Sequence, residues 1–383
     1  MPLIYLNNAA TSWPKPQRVK DVLSKSLDLP VFGSGRTTGT QGIDYISLAR
    51  EKTAGLFNTV SEKIVFTQNA TDSLNTLING FLLKNKGCHA ITTALDHNSV
   101  LRPLFEHKRA GTISLDIADF SNGKVSPDSI SNLIRKDTKL VVMSHASNVL
   151  GSVQDVKAVA EILHDKGIYF IVDGAQTAGH IETDVEKIGC DAFVFTGHKA
   201  LLGVAGTGGF YLKDSESITP TRFGGTGTRS LELYQPNEMP EKFECGTQNV
   251  TGLAALSEGI SYIQSLGISE IHAKAKRQSE YIIRRFREAE NIRVHYETPE
   301  VPVISFNIEG LSCEDTGFIL SRKYGIITRT GLHCAPLVHE KIDGGTGSVR
   351  ISLSCFTTDE ECKTAADAVL EIAKNAASRF NSA

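Results

Sequence analysis

The sequence comprises 383 residues with a formal net charge of -3, and 40% of it is hydrophobic and 22% charged. That is the composition of an ordinary soluble globular chain, long enough for one large domain and a smaller one. The charge balance gives no reason to expect nucleic acid or an anionic membrane as partner. No apolar run is long enough to span a bilayer, and the N-terminus lacks the basic stretch and apolar core of a secretory signal, so the expected location is the cytoplasm. Seven cysteines at scattered spacing suit reduced thiols rather than a disulfide framework. No Cys/His pairs have zinc spacing, and no metal is expected.

In chain order, Tyr5-Leu6-Asn7-Asn8-Ala9-Ala10-Thr11 is a short strand-like start that breaks into small residues, and a helix is expected from about Pro16 to Leu27. Phe32-Gly33-Ser34-Gly35-Arg36-Thr37-Thr38-Gly39 reads as a flexible loop carrying one Arg. It is no dinucleotide fingerprint, because three residues separate Gly35 from Gly39 where G-x-G-x-x-G allows two, and no strong strand precedes it. From Asp44 onward, segments with helical and strand periods alternate. Strands are expected at Ile64-Phe66, Ala90-Thr92, Thr112-Leu115, Leu140-Met143, Tyr169-Val172, Ala192-Phe195 and Gly209-Leu212. Helices are expected at Tyr45-Phe57, Thr71-Leu82, Val100-Lys108, Pro127-Ile134 and Val153-Lys166. Such alternation implies an α/β fold with a mainly parallel sheet of seven strands covered by helices on both faces.

Beyond Thr251 two long helices follow. The tail then reads strand (Arg293-Tyr296), strand (Val303-Ile308), helix (Cys313-Arg322), strand (Ile326-Thr328), strand (Ser348-Leu353) and a last helix (Thr358-Arg379). The expected division is a large domain over 16–260 and a small α+β domain over 261–383, with residues 1–15 joining the latter.

Five features fall just after expected strands, where ligand sites form in open α/β sheets. Thr67-Gln68-Asn69-Ala70-Thr71 is a strand-to-helix turn whose N–H groups and hydroxyl suit a phosphate, though taken alone it is a plain N-cap. Asp96-His97-Asn98 offers an imidazole to stack on a flat cofactor or shuttle a proton. Ser144-His145-Ala146-Ser147-Asn148 is a polar cluster for a small ligand. Val172-Asp173-Gly174-Ala175-Gln176 places a carboxylate at the end of an apolar strand, where it requires a partner. Ala192-Phe193-Val194-Phe195-Thr196-Gly197-His198-Lys199 delivers an amine; in a desolvated site it can lose its proton and form a Schiff base. Each feature is weak alone. Together they match the protein parts required by pyridoxal phosphate: the Lys for the covalent link, the Asp to keep the pyridine nitrogen protonated.

Thr328-Arg329-Thr330-Gly331-Leu332-His333-Cys334-Ala335-Pro336 reads as a polar loop carrying a thiol. A free thiol has a pKa of about 8.5, and Arg329 and His333 are expected to lower it. The other six cysteines read as small buried hydrophobes. Sixteen positions on, Arg350 in a strand suits a substrate carboxylate.

These motifs resemble the cysteine desulfurases of the class V aminotransferase family, fold type I pyridoxal-phosphate enzymes, and the likeness runs over nearly the whole chain. The resemblance implies that Lys199 links the cofactor pyridoxal 5'-phosphate, that Asp173 partners the pyridine nitrogen, that Gln176 contacts the ring oxygen and that His97 stacks on the ring. It implies phosphate ligands at Ala70, Thr71, Thr196 and His198, with Thr247, and more weakly Thr226, supplied by the neighbouring subunit of a homodimer. Asn148 and Arg350 would hold the carboxylate of L-cysteine, with Arg329 assisting and Ala9 beside them. Lys199 would remove the α-proton, and Cys334 would take the sulfur as a persulfide for delivery to an acceptor protein. The short span from Cys334 to Arg350 resembles the second desulfurase group, whose cysteine loop is short and ordered. Two departures bear on this. Ser352-Leu353-Ser354-Cys355-Phe356-Thr357 lacks the aromatic-Asn-Thr usual in the family. The stretch Asp96–Pro103 resembles a branch linked to selenium or to cofactors other than iron–sulfur clusters. The alternatives are a selenocysteine lyase or another pyridoxal-phosphate lyase or aminotransferase, and a non-catalytic protein retaining the fold.

Overall fold

The computed structural model describes residues 3–28 and 43–380, and the glycine-containing stretch at 32–39 lies outside the described residues. The chain enters through strand β1 (Ile4–Tyr5) and helix α1 (Gln17–Leu27). Helix α2 (Tyr45–Leu56) starts where Asp44 Oδ1 accepts the N–H groups of Ile46 and Ser47. Alternation then follows: β2 (Ile64–Thr67), α3 (Ala70–Lys84), β3 (His89–Thr93), α4 (Asn98–Arg109), β4 (Ser114–Ala118), α5 (Pro127–Ser131) and β5 (Thr138–Ser144). It continues through α6 (Val156–His164), β6 (Tyr169–Asp173), α7 (Val185–Ile188), β7 (Ala192–Thr196) and β8 (Gly208–Leu212).

These strands form one sheet in the order β2-β8-β7-β6-β5-β3-β4, parallel except that β8 runs against both neighbours. Period-two alternation sorts their side chains onto two faces. Leu140, Val142 and Val194 pack on one face with Leu74, Leu77 and Val100 of α3 and α4. Val141, Met143, Phe193 and Phe195 pack on the other with Val159 and Leu163 of α6 and with Phe57. Each fully buried Phe stabilises the sandwich by about 1.5–3 kcal/mol relative to an exposed one.

The remainder comprises α8 (Val250–Leu266), α9 (Ile268–Phe286), β9 (Ile292–Val294), β10 (Val303–Ile308) and α10 (Cys313–Tyr324). After these come β11 (Ile326–Ile327), β12 (Arg329–Gly331), α11 (Pro336–Ile342), β13 (Ser348–Ser352) and α12 (Asp359–Phe380). An antiparallel sheet, β12-β13-β10-β9, packs Ile304, Phe306, Val349 and Ile351 against Phe286 of α9 and Val369 of α12. Strand β1 pairs in parallel with β11, and Asn7 bridges to Ser352 at the end of β13.

Several elements differ from expectation, among them α5, which ends at Ser131 rather than Ile134, and the unexpected α7; three others have a visible cause. Strand β4 begins at Ser114 rather than Thr112, because the Thr112 N–H and hydroxyl both go to His107 O and finish α4. Helix α6 starts at Val156 rather than Val153, since Asp155 caps it and Val153 bridges to Ala146. The stretch expected as a loop from Thr328 contains β12, paired with β13, and runs into α11. Among the described residues, no helix is long and apolar enough to cross a membrane.

Candidate active site

The parallel strands all end on one edge of the large sheet, and the side chains just beyond them line a cavity of about 490 Å³. At the end of β2, Asn69 caps α3 by accepting the Asp72 N–H at 3.0 Å, and the first turn brings Ala70 and Thr71 to the cavity wall. First-turn N–H groups have no intrahelical partner and favour an anion. The turn lies against β8 so closely that a Cβ at Gly208 would sit 2.6 Å from Asn69 Cα. Thr196, at the end of β7, lines the same cavity with a buried hydroxyl that has no partner. His198 beside it is held down at about 4, first by burial and then by the Lys199 and Lys15 charges.

His97 caps α4, its Nδ1 accepting the Ser99 N–H at 3.1 Å. Burial first, then the charges of Lys199, Arg329 and Arg350, pull this imidazole down to about 3, so the ring is neutral. Behind it Asp96 is fully enclosed. Its carboxyl accepts from the Thr92 and Thr93 hydroxyls and from the Thr93 and Ser144 N–H groups, tying the ends of β3 and β5 together. Burial raises it to about 6.

Lys199 and Asp173 both line the cavity, near enough for each charge to act on the other. Burial is the largest influence on each. It lowers the amine to about 8 against the opposing pull of Asp173, and it raises the carboxyl against the Ala175 N–H and the Lys199 charge. Gln176 donates to Ala9 O at 3.3 Å, and the Ser352 hydroxyl accepts the Ala9 N–H at 2.8 Å, which brings the N-terminal segment into the wall.

Part of the cavity wall is cationic. Arg329 on β12 lies directly across from Arg350 on β13, and both line the cavity. Like charges in opposed positions destabilise a sheet. Arg350 is 1% exposed and is pulled down to about 9 by burial and then by Arg329. Its Nη1 donates to Asn148 O at 2.9 Å, its Nη2 reaches Asn7 Oδ1 at 3.4 Å, and its Nε has no partner. No carboxylate among the described residues forms an ion pair with either guanidinium, so this wall is built to receive an anion.

Arg329 Nη2 is 3.5 Å from Cys334 Sγ. The thiol sits on a turn in which His333 and Cys334 both hold positive φ, +50° and +59°. Left-handed conformations at non-glycine residues cost of order 1–3 kcal/mol each and persist only where surroundings enforce them. Here Asn148 Nδ2 donates to His333 O, and the Asn98 N–H at the head of α4 donates to Cys334 O, both at 2.7 Å. Asn148 is thus engaged on the thiol's turn with the amide that sequence reasoning assigned to substrate. His333 differs more sharply from expectation. It is buried and pulled down to about 2, chiefly by burial, so it is neutral and lends the thiol no positive charge.

The cavity thus brings together Ala9, Ala70, Thr71, His97, Asn148, Asp173, Gln176, Thr196, His198, Lys199, Arg329 and Arg350. Cys334 lies on an adjoining groove that shares Thr71, His97 and Ser99 with the cavity. Thr226 and Thr247 line neither. Sequence reasoning missed Asp96 as the tie beneath His97, the Arg329–Arg350 opposition, and Ser99, whose hydroxyl lies 2.7 Å from that of Thr71. Only the position of Asp96 just past an apolar strand signalled it.

The aminotransferase class-V family profile matches residues 4–364. A probable cysteine desulfurase of Methanothermobacter thermautotrophicus is 34% identical, the match covering 97% of this chain and 94% of the relative. A second, from Halalkalibacterium halodurans, is 32% identical over 94% of this chain and 90% of the relative. The apo cysteine desulfurase of Thermococcus onnurineus NA1 superposes with a TM-score of 0.89 at 29% identity, covering 97% of this chain and 95% of that one.

Proposed function

The chain belongs to the aminotransferase class-V family, and from that premise we propose that it is a cysteine desulfurase, moving the sulfur of L-cysteine onto Cys334 and releasing L-alanine. The observation that carries this reading is the thiol of Cys334 held 3.5 Å from Arg329, whose cross-strand partner Arg350 shares a cavity with the desolvated amine of Lys199.

The cavity fits pyridoxal 5'-phosphate. The partnerless Thr196 hydroxyl and the head of α3 suit its phosphate, Asp173 suits its pyridine nitrogen, His97 its ring face and Lys199 the covalent link. Bound there, the cofactor supplies an electron sink for the bonds at the substrate α-carbon. Arg350 and Arg329 hold the α-carboxylate, which neutralises two opposed cations. The Lys199 amine, with its affinity for protons lowered by burial, accepts the α-proton. As its thiolate, Cys334 then bonds to the substrate sulfur while the bond from that sulfur to carbon breaks. The electron pair stays on the carbon fragment, which takes up one proton at the β-carbon, regains one at the α-carbon and leaves as alanine. The persulfide stays on Cys334 until an acceptor thiol takes it.

A second copy of the chain supports the site in this reading. Thr247 and Thr226 would reach the partner's phosphate, and the same segment exposes Phe223, Leu231, Leu233 and Tyr234, from 70% to 98%, an apolar cluster of the kind that marks an interface.

Alanine release from L-cysteine and from L-selenocysteine, measured with a thiol reductant for wild type and Cys334→Ala, tests the proposal. Loss of the cysteine reaction in the variant is the expected result. Full activity of Cys334→Ala on both substrates would overturn it and favour the lyase.

A further inference from the structure

Beneath the turn that carries Cys334 lies a buried chain of groups to which the reaction above gives no part. His339 on α11 is wholly buried, and its Nδ1 donates to Asp343 Oδ2 at 2.6 Å. The Asp343 side chain is itself only 5% exposed, and its other oxygen accepts the N–H groups of Gly345 and Gly347 at 3.1 and 3.3 Å. The His339 ring lies 5.3 Å from the His333 ring, centroid to centroid. His333 Nε2 is 3.2 Å from Ser348 O. A carbonyl only accepts, so Nε2 carries the proton and Nδ1 is a bare acceptor. That Nδ1 and His339 Nε2 are both buried without a partner, which is unusual for polar atoms in an interior.

A structural account of this cluster would need only the Asp343 carboxyl, which stitches the end of α11 to the glycine turn before β13. It does not explain why a second ring follows, nor why that ring belongs to the residue next to the thiol, in a conformation that non-glycine residues avoid. We propose that Asp343, His339 and His333 are positioning residues: a packed chain, anchored on the turn before β13, that holds the left-handed turn at His333–Cys334 and so fixes where the sulfur nucleophile stands relative to Arg329 and Arg350. Asn148 and Asn98 grip the same turn from the large-sheet side through its two carbonyls. The chain holds it from the small-sheet side through a side chain. The inference rests on Cys334 being the sulfur nucleophile.

The test uses the cofactor-loaded enzyme. Three variants are compared: His339→Phe, which keeps a ring and loses both nitrogens; His339→Asn, whose amide can still donate to Asp343; and His333→Asn, which tolerates the positive φ and removes the ring. Steady-state kinetics with L-cysteine are read beside the rate at which iodoacetamide alkylates Cys334, followed peptide by peptide. The expected result for His339→Phe and His333→Asn is a fall in kcat of tenfold or more, with KM and the visible spectrum of the bound cofactor within twofold of wild type. The alkylation rate should change at least threefold, and His339→Asn should recover to within threefold of wild type in kcat. Should His339→Phe fail to fold, His333→Asn carries the test alone. The proposal is overturned by an unchanged kcat and alkylation rate in folded His333→Asn. It is equally overturned if KM, spectrum and melting temperature move together with kcat, or if His339→Asn is as slow as His339→Phe. Cys334→Ser separates the two levels: if it still releases alanine, the desulfurase reading fails, whereas a dead Cys334→Ser beside a fully active His333→Asn sinks only the positioning chain.

Discussion

At Lys199 burial decides the chemistry. A lysine in water keeps its proton to above pH 10, and at neutral pH its neutral fraction is roughly 0.03%. With the amine brought down to about 8, about a tenth of it is neutral at pH 7. The rate at which apo-protein captures pyridoxal phosphate should therefore climb about tenfold per pH unit up to pH 7, flatten through pH 8 and stay level to pH 9. Stopped-flow absorbance would follow it, and a continued tenfold rise between pH 8 and 10 would mean that the amine is not desolvated. The opposed arginines show the converse. Their like charges weaken the sheet they sit in, a local cost that an anion in the cavity removes. Lys199 was legible from the sequence because it ends a long apolar strand. The opposition of Arg329 and Arg350 was not, since it depends on the register of two strands whose sequences, three and five residues long, carry no pairing signal of their own.

Elements set where those residues stand. The seven strands of the large sheet were legible because β5, β6 and β7 are almost unbroken apolar runs, and only sandwiched strands read that way. Strand β12 was not legible: Arg-Thr-Gly has neither alternation nor an apolar run, and only pairing with β13 makes it a strand. Helix α11 was hidden by its Pro336 start and short length. The head of α3 depends on an absence at another element, the missing side chain of Gly208. Gly208→Ala would force the Asn69 backbone away from β8, because backbone cannot yield as a flexible side chain does. The expected outcome is at least tenfold weaker cofactor binding by absorbance titration in a protein whose far-ultraviolet circular dichroism is unchanged. Binding within twofold of wild type would show that the turn at Asn69 does not hold the phosphate.

Considered whole, the molecule is a helix-covered sheet and a smaller antiparallel sheet with the cavity between their contributions. Lys199, Asp173 and His97 come from the first, and Arg329 and Arg350 from the second. Neither alone holds both the amine and the guanidinium pair. The proposed homodimer makes a further demand. Leu231→Asp with Leu233→Asp should yield a monomer by sedimentation velocity that loses its yellow colour on gel filtration, because each copy then lacks its partner's Thr247. A monomeric variant that retains cofactor would show each cavity to be complete in one chain.

The way the N-terminal segment is fastened has a consequence for the order of events during synthesis. The Ala9 N–H meets the Ser352 hydroxyl across 343 positions of sequence, and β1 finds its pairing strand only at Ile326 and Ile327. A ribosome reading this message finishes every strand of the large sheet well before those partners emerge. The segment from Ile4 to Ala9 must therefore wait for those partners until residues 326–352 have been made. Closures of such span are slow because chain entropy opposes them until the last contacts form. A nascent chain arrested before residue 326 should protect β5 to β7 from protease and leave residues 3–10 open to cleavage.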